Sequence, residues 1–397
     1  MKIPKLILPV IVFSQFAGTS LWFAGNAILA DLQSTMNVDI NDTGIVTSAI
    51  QLGFITGTLV FAFFAISDRY SPRKLFLVCS ILGSFSNLLI YFIADNLFSL
   101  LVLRFITGFF LTGIYPIGMK IAAGWYKKGL GNAIGLLVGA LVLGTAFPHL
   151  IKSTGGSLPW EQVLFFVSAV SFAGGILMYL LVPDGPHISS GTKFNPKAIL
   201  TIFKYKELRS SALGYFGHMW ELYTFWAFIP LILNYYIKLN PVELNISFWA
   251  FIIIGSGSVG CIVGGVISKK AGSAKVAFFQ LALSGICCLI SPLMFYTSAP
   301  IFLTFLIFWG IVVVGDSPQY SAIIALSAPK ELVGSALTFV NSIGFAITIV
   351  SIWVVSQFTG IIDTSFILII LVIGPMAGLI SMKPLLSNYN YNSGDTK

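Results

Sequence analysis

Residues 60–79 read "VFAFFAISDRYSPRKLFLVC", a short charged segment between two long apolar runs. A helix needs roughly 20 apolar residues to cross the hydrocarbon core of a bilayer, and the run on each side is about that long. The rest of the 397-residue chain repeats this alternation, with 57% hydrophobic and 9% charged residues. Soluble domains have about 25% charged residues, so this chain requires lipid as its main solvent.

Twelve apolar runs have the length of a membrane span. They lie near residues 7–30, 44–66, 75–94, 98–123, 130–150, 162–182, 210–234, 246–267, 276–296, 300–326, 333–357 and 364–382. Backbone groups in lipid have no water to bond, so each span is predicted to be a helix that satisfies its own hydrogen bonds. The first run is too long for the apolar core of a signal peptide and is predicted to be a retained span.

Lysine and arginine are concentrated in the loops on one side of these spans. The opposite side has only Lys152 and Lys238, together with several aspartates and glutamates. By the positive-inside rule both termini are cytoplasmic, and the protein is predicted to lie in a bacterial inner (plasma) membrane. The net charge of +8 is spread over short clusters, which indicates membrane orientation rather than nucleic-acid binding.

The longest cytoplasmic connection, residues 183–209, carries turn residues and basic charge. It is predicted to link a first six-helix half, residues 1–182, to a second half with a short tail, residues 210–397. The loop "FAISDRYSPRK" after the second span is echoed by "GGVISKKAGSAK" after the eighth. Such parallel six-helix repeats are found in major facilitator transporters.

The chain resembles the major facilitator superfamily over essentially its whole length. Asp68, Arg69, Arg73 and Lys74 resemble the signature loop of that family between helices two and three, although Ser71 replaces a glycine. The segment "RFITG" (104–108) is similar to its fourth-helix motif, and span five is loosely similar to its glycine-rich fifth-helix motif. The resemblance implies an all-α membrane protein with twelve transmembrane helices in two pseudo-symmetric halves around a central cavity. It also implies that the charged loop is a latch between the halves.

Glycines recur every fourth residue in span five, at Gly131, Gly135 and Gly139, and once in span eight, at Gly260 and Gly264. Small residues at this spacing let helices approach closely in lipid. The resemblance implies that these two helices pack across the halves and slide during transport. Ordinary tight packing is the alternative.

Four charged residues fall inside spans: Arg104, Lys120, Glu221 and Asp316. Each costs about 2.5–3.5 kcal/mol at the bilayer centre on insertion scales, so a function is expected for them. They lie on spans four, seven and ten, which line the cavity in the family. Lys120 and Asp316 are predicted to form an ion pair, either only when the inner side closes, as a gate, or permanently, as a structural contact. The alternative is that Lys120 extends to the cytoplasmic surface.

Glu221 is predicted to be the proton-coupling site, tuned by His218 one helical turn away, with Asp316 as the next candidate. A permanent pair between Glu221 and Arg104 is the alternative. Pro318 is predicted to kink span ten beside Asp316.

Arg104 has five donors in a planar group that suits a substrate carboxylate or phosphate, so an anionic substrate is predicted. The other residues predicted to bind substrate are basic, polar or aromatic. They are Lys120, Gln15, Asn26, Trp22, Trp220, Tyr223, Gln319, Tyr320 and Asn341.

The sequence contains no catalytic constellation, phosphate-binding loop or metal-ligand spacing, so no enzyme activity, cofactor or metal site is predicted. The four cysteines all lie in apolar runs, as packing residues do. The leading prediction is a secondary transporter that moves a small anionic metabolite with protons by alternating access; the oligomeric state is left open, although a twelve-helix transporter can work as a monomer. An exporter of amphipathic compounds and a membrane receptor that does not transport its solute are the alternatives.

Overall fold

A computed structural model describes residues 3–36, 43–126, 130–154, 159–187, 202–329 and 332–387. Within the described residues, twelve longer helices follow one another, with a single helical turn, Ile66–Arg69, between the second and the third. They are α1 (Ile7–Thr19, Ala24–Ala27 and Leu29–Met36), α2 (Thr43–Phe63), α3 (Pro72–Ile93), α4 (Leu97–Leu111 and Tyr115–Trp125), α5 (Leu130–Ser153), α6 (Trp160–Leu181), α7 (Lys206–Leu239), α8 (Ile246–Ala271), α9 (Ser273–Met294), α10 (Ala299–Gly315 and Ser317–Ser327), α11 (Val333–Phe358) and α12 (Thr364–Val372 and Ile373–Ser387). Eleven are long and apolar enough to cross a membrane, and the broken α1 is the twelfth.

The predicted all-α fold is therefore confirmed. One boundary differs in a way that changes the predicted domain limits: α7 begins at Lys206, inside the segment predicted to be the linker. Lysine, glutamate, leucine and arginine at positions 206–209 are all good helix formers, so the helix continues beyond its apolar part. Several predicted segments lie outside the described residues: positions 188–201 of the linker, Lys127 and Lys128, positions 1–2 at the N-terminus and positions 388–397 at the C-terminus.

Three helices are interrupted near their middle. Pro116 and Pro318 lie in the first turn of the second piece of α4 and of α10, where a missing N–H removes no helical hydrogen bond. The predicted break beside Asp316 is confirmed. The break in α1 contains no proline; there the hydroxyls of Thr19 and Ser20 bond to backbone carbonyls in the preceding turn.

Close helix packing depends on glycine inside the first half. A methyl group at Gly108 of α4 would overlap the carbonyl of Ile50 in α2, and one at Gly53 would overlap the carbonyl of Phe105. Without a side chain at either position, the two backbones lie in direct contact.

The two halves meet mainly through α5 with α8 and α2 with α11. We call the end of the bundle where α5 ends and α8 begins the outer end, and the opposite end the inner end. At the outer end, Asn245 Nδ2 donates to the carbonyl of Ser153 at 3.4 Å. Farther in, a methyl at Gly139 would lie 3.6 Å from the carbonyl of Ser258, whereas Gly131 has open space around it. The predicted packing of α5 on α8 is confirmed.

Candidate functional site

A cluster of buried aromatic rings joins the two halves near the middle of the bundle. Trp22 of α1 stacks on Phe345 of α11 with ring centroids 5.4 Å apart, and Phe54 of α2 lies 4.6 Å from the same ring. Tyr223 of α7 is 5.8 Å from Trp22. The cluster therefore connects the two halves through side chains from both of them.

His218 and Asp316 form a buried pair in the second half. His218 Nδ1 lies 2.8 Å from Asp316 Oδ1, and each side chain is 1% exposed. Asp316 occupies the break in α10, between its two helical pieces. Within the described residues, neither His218 Nε2 nor Asp316 Oδ2 has a hydrogen-bond partner. The pair therefore combines two titratable groups with unused hydrogen-bonding capacity at the centre of a membrane-spanning bundle.

Glu221 faces the interior of the second half. Its Oε1 accepts hydrogen bonds from Ser284 Oγ at 2.5 Å, from Trp309 Nε1 at 2.7 Å and from Cys288 Sγ at 3.3 Å. The donors belong to α9 and α10. The predicted interaction with His218 is wrong for this structure because the imidazole contacts Asp316 instead, and no pair with Arg104 is formed.

Arg104 is fully buried and binds the broken part of α1. It donates from one terminal nitrogen to the carbonyl of Leu21 at 3.2 Å and from the other to the carbonyl of Trp22 at 2.5 Å. Its Nε has no partner, and no carboxylate of the described chain forms an ion pair with it. A methyl group on Gly25 would lie 2.8 Å from Nε, so the glycine makes room for the guanidinium.

Lys120 pairs with Asp68, not with Asp316 as predicted. Its Nζ lies 2.5 Å from Asp68 Oδ1 and donates to the carbonyl of Ser67 at 2.6 Å. Lys120 lies near the inner end of α4, where its long stem can reach the charged loop, whereas Asp316 already has a partner in α7.

The signature loop is held within the first half. Arg73 Nε is 3.7 Å from Asp184 Oδ2, just after α6, and Ser71 donates to the same carboxylate at 2.9 Å. Arg69 and Lys74 are exposed. The predicted latch between the halves is therefore not formed by these contacts in this structure, which instead connect the loop to α4 and α6.

The other predicted binding residues are distributed over several surroundings. Asn26 Nδ2 donates to Thr47 Oγ1 at 2.7 Å, and both amide atoms of buried Gln15 lack a partner in the described chain. Trp220 Nε1 donates to the carbonyl of Ile370, and the Tyr320 hydroxyl contacts Met382 Sδ, so both polar atoms point toward α12. Gln319 is buried and Asn341 is half-buried.

Three polar features of this region were not predicted from the sequence. Gln51 of α2 is buried with both amide atoms unpartnered in the described chain, and Thr224 and Ser351 share a 2.7 Å hydrogen bond between α7 and α11. His149 of α5 is 2% exposed with its Nε2 unpartnered there. An amide or imidazole inside an apolar run was the available signal for Gln51 and His149. Nothing in the sequence indicated the pairing of the two hydroxyls.

In the described part of the chain, eleven helices of membrane length and the broken α1 define a multi-pass membrane protein. Residues 10–352 match the family model of the Major Facilitator Superfamily, and the chain belongs to that family, which consists of transporters. An uncharacterised MFS-type transporter of Methanocaldococcus jannaschii is 27% identical over 150 residues, which are 36% of this chain and only 38% of that relative.

Two solved structures share the fold at low sequence identity. The human organic anion transporter MFSD10 (TETRAN) superposes with a TM-score of 0.73 and 13% identity, covering 96% of this chain and 100% of that one. The proton:xylose symporter XylE, bound to 6-bromo-6-deoxy-D-glucose, gives 0.73 and 12%, covering 96% of both chains. These similarities confirm the twelve-helix arrangement.

Proposed function

We propose that this chain is a proton-coupled secondary transporter that moves a small anionic metabolite by alternating access. The observation that carries the proposal is the buried contact between His218 and Asp316 at the break in α10. Ionisable groups inside a membrane are costly and mark proton relays and substrate pathways. Burial favours the neutral form of a carboxyl, whereas a neighbouring imidazolium favours the charged form, so the pair can exchange a proton when its surroundings change.

The charge of Arg104 supports an anionic substrate. Buried charges are normally paired, yet this guanidinium is balanced only by backbone carbonyls in the described chain. A carboxylate or phosphate that reached the free Nε would supply the missing counter-charge and a charge-assisted hydrogen bond. The name of the human structural neighbour, an organic anion transporter, points the same way.

The packing supports release toward the inner end. The outer ends of α2 and α11 touch where a methyl group at Gly44 would overlap the hydroxyl of Ser356, whereas a methyl group at Gly131, near the inner end of α5, would have open space around it. In the proposed cycle this is the inward-facing arrangement, and sliding of α5 on α8 opens the outer end. The same proposal places both termini in the cytoplasm of a bacterium and treats the monomer as the working unit.

The test is proton flux in proteoliposomes loaded with a pH-sensitive dye. Small carboxylates, phosphates and amphipathic cations are added in turn to the wild type, Asp316→Asn, His218→Gln and Glu221→Gln. We expect an anion to trigger proton flux in the wild type and in Glu221→Gln. We expect no anion-triggered flux in Asp316→Asn or in His218→Gln. Flux that survives in Asp316→Asn would contradict the assignment of the pair. Flux lost in Glu221→Gln alone would move the proton site to Glu221.

Export of amphipathic compounds is the second candidate. It is supported by the aromatic cluster and by an apolar cavity of about 450 Å³ between α2 and α11, whose lining includes Ile45, Val350 and Trp353. All three of these side chains are exposed on the bundle surface, where lipid is expected. Flux triggered by amphipathic cations, and retained after Arg104 is neutralised, would favour this candidate over anion transport.

A further inference from the structure

A separate cavity of about 400 Å³ lies at the outer end, between the two halves. Its polar lining comes from four helices: Asn26 and Asp31 of α1, His149 and Lys152 of α5, Asn234 of α7 and Ser247 of α8. The volume lies within the range of about 300–1,000 Å³ that is usual for small-molecule sites. Neither His218 nor Asp316 lines it, so this cavity is distinct from the proposed proton site.

Two lining residues carry unused hydrogen-bonding atoms. His149 is 2% exposed, and its Nε2 has no partner among the described groups. Asn26 bonds to Thr47 through Nδ2, which leaves its Oδ1 as an unpartnered acceptor within the described chain. Buried polar atoms are almost always hydrogen-bonded, to protein, water or ligand. The cavity thus offers one acceptor and one imidazole nitrogen to an occupant.

The charged groups of the cavity are a cation and an anion in contact. Lys152 Nζ lies 2.8 Å from Asp31 Oδ2, and the two side chains are 20% and 31% exposed. A ligand that carries only negative charge would be attracted by Lys152 and repelled by Asp31. A ligand with a carboxylate and an adjacent donor can satisfy both, with the donor directed to Asp31 or to Asn26 Oδ1.

The rest of the wall is apolar and includes Ala27, Ala227, Leu231 and Ile246. An apolar body of the ligand would be buried there, since removing apolar surface from water is favourable. The site therefore combines a polar end with an apolar wall, as small-molecule sites generally do.

We propose that this cavity binds a small molecule with a carboxylate, a neighbouring hydroxyl or amino group, and an apolar body. Lys152 and His149 hold the carboxylate, and Asn26 Oδ1 with Asp31 accepts the neighbouring donor. The view that this molecule is also the transported substrate rests on the proposed function; its binding in the cavity does not.

The probe is 3-phenyllactate, which has all three features, and the readout is protection of an introduced cysteine. Ser247→Cys places a thiol in the cavity lining, and the four natural cysteines are all buried. Ser298→Cys, at an exposed serine of the outer end that does not line the cavity, is the matched control. A membrane-impermeant maleimide labels each protein in nanodiscs with increasing 3-phenyllactate.

We expect the probe to slow labelling of Ser247→Cys in a saturable manner and to leave labelling of Ser298→Cys unchanged. Replacing the carboxylate by an amide, in 3-phenyllactamide, removes the charge-assisted bonds and should weaken protection about tenfold or more. Adding His149→Gln should weaken protection by 3-phenyllactate in the same direction. Equal protection by the acid and the amide, or none by either, would overturn the proposal.

Repeating the labelling in an Asp316→Asn background separates the two proposals. If Asp316→Asn loses proton flux but 3-phenyllactate still protects Ser247→Cys in that background, both the proton site and the separate cavity site are supported. Protection without anion-driven flux in the wild type leaves the cavity site standing while the proposed function fails. Loss of protection in Asp316→Asn would show that the ligand depends on the proton site, which would refute a separate cavity site.

Discussion

Replacing Arg104 by leucine should destabilise the whole protein rather than only one binding step. The guanidinium is the donor for two backbone carbonyls of α1, those of Leu21 and Trp22, which the break in that helix leaves without helical partners. A leucine fills much of the same apolar space but donates nothing. The two carbonyls then stay buried without hydrogen bonds.

The expected loss follows from the number of orphaned groups. An unsatisfied buried acceptor costs about 1–3 kcal/mol, so two of them cost about 2–6 kcal/mol. Removing a buried charge returns part of its desolvation cost, which places the net effect toward the lower end of that range. Arg104→Lys should lie between the leucine variant and the wild type, because an ammonium presents its donors at a single atom and bonds the two carbonyls less well.

Thermal unfolding followed with a thiol-reactive dye measures this loss, because all four cysteines are buried until the protein opens. Lys120→Gln is the matched control: it removes a partly exposed ion pair, for which about 0–1 kcal/mol is expected. Unfolding midpoints should fall in the order wild type, Lys120→Gln, Arg104→Lys, Arg104→Leu. An Arg104→Leu protein as stable as the wild type would refute the bracing of α1 by this side chain.

Three further changes have defined outcomes. Gly108→Val would collide with the carbonyl of Ile50, so the folded peak in size-exclusion chromatography should be lost; a normal peak would contradict the close contact of α2 and α4. Glu221→Gln retains an oxygen that can accept the Trp309 N–H, so its unfolding midpoint should fall only slightly, and a collapse of stability would mean that the negative charge is required. Asp363 caps α12, and the hydrogen bonds it accepts from the hydroxyl and amide two residues later lower its pKa. The cap therefore contributes fully at neutral pH and is lost as the pH falls through that lowered pKa. The protection factor of amides in the first turn of α12, which corrects for the slower intrinsic exchange in acid, should therefore decrease at low pH; an unchanged protection factor would contradict this.

The sequence identified which residues are unusual but not what they contact. Arg104, Glu221 and Asp316 stood out because a charge inside an apolar run is costly wherever the helix packs. Their partners lie on other elements, often far along the chain: Glu221 bonds to Trp309, and His218 contacts Asp316 rather than the glutamate one turn away. Residues one turn apart share a helix face only approximately, and a rotation of a few tens of degrees separates their environments.

The length, hydropathy and loop charge of the sequence by themselves determined that this is a multi-pass membrane protein. They also determined the number and order of its helices and, to within a few residues, where most of the helices begin and end. The bilayer has a fixed thickness and excludes unsatisfied backbone groups, so each span is determined by residues adjacent in the sequence. Tertiary structure alone decided that Arg104 braces α1, that Lys120 pairs with Asp68, and that a polar cavity opens between the halves at the outer end. These outcomes depend on which faces of separate helices meet, and that is settled by packing among all twelve of them.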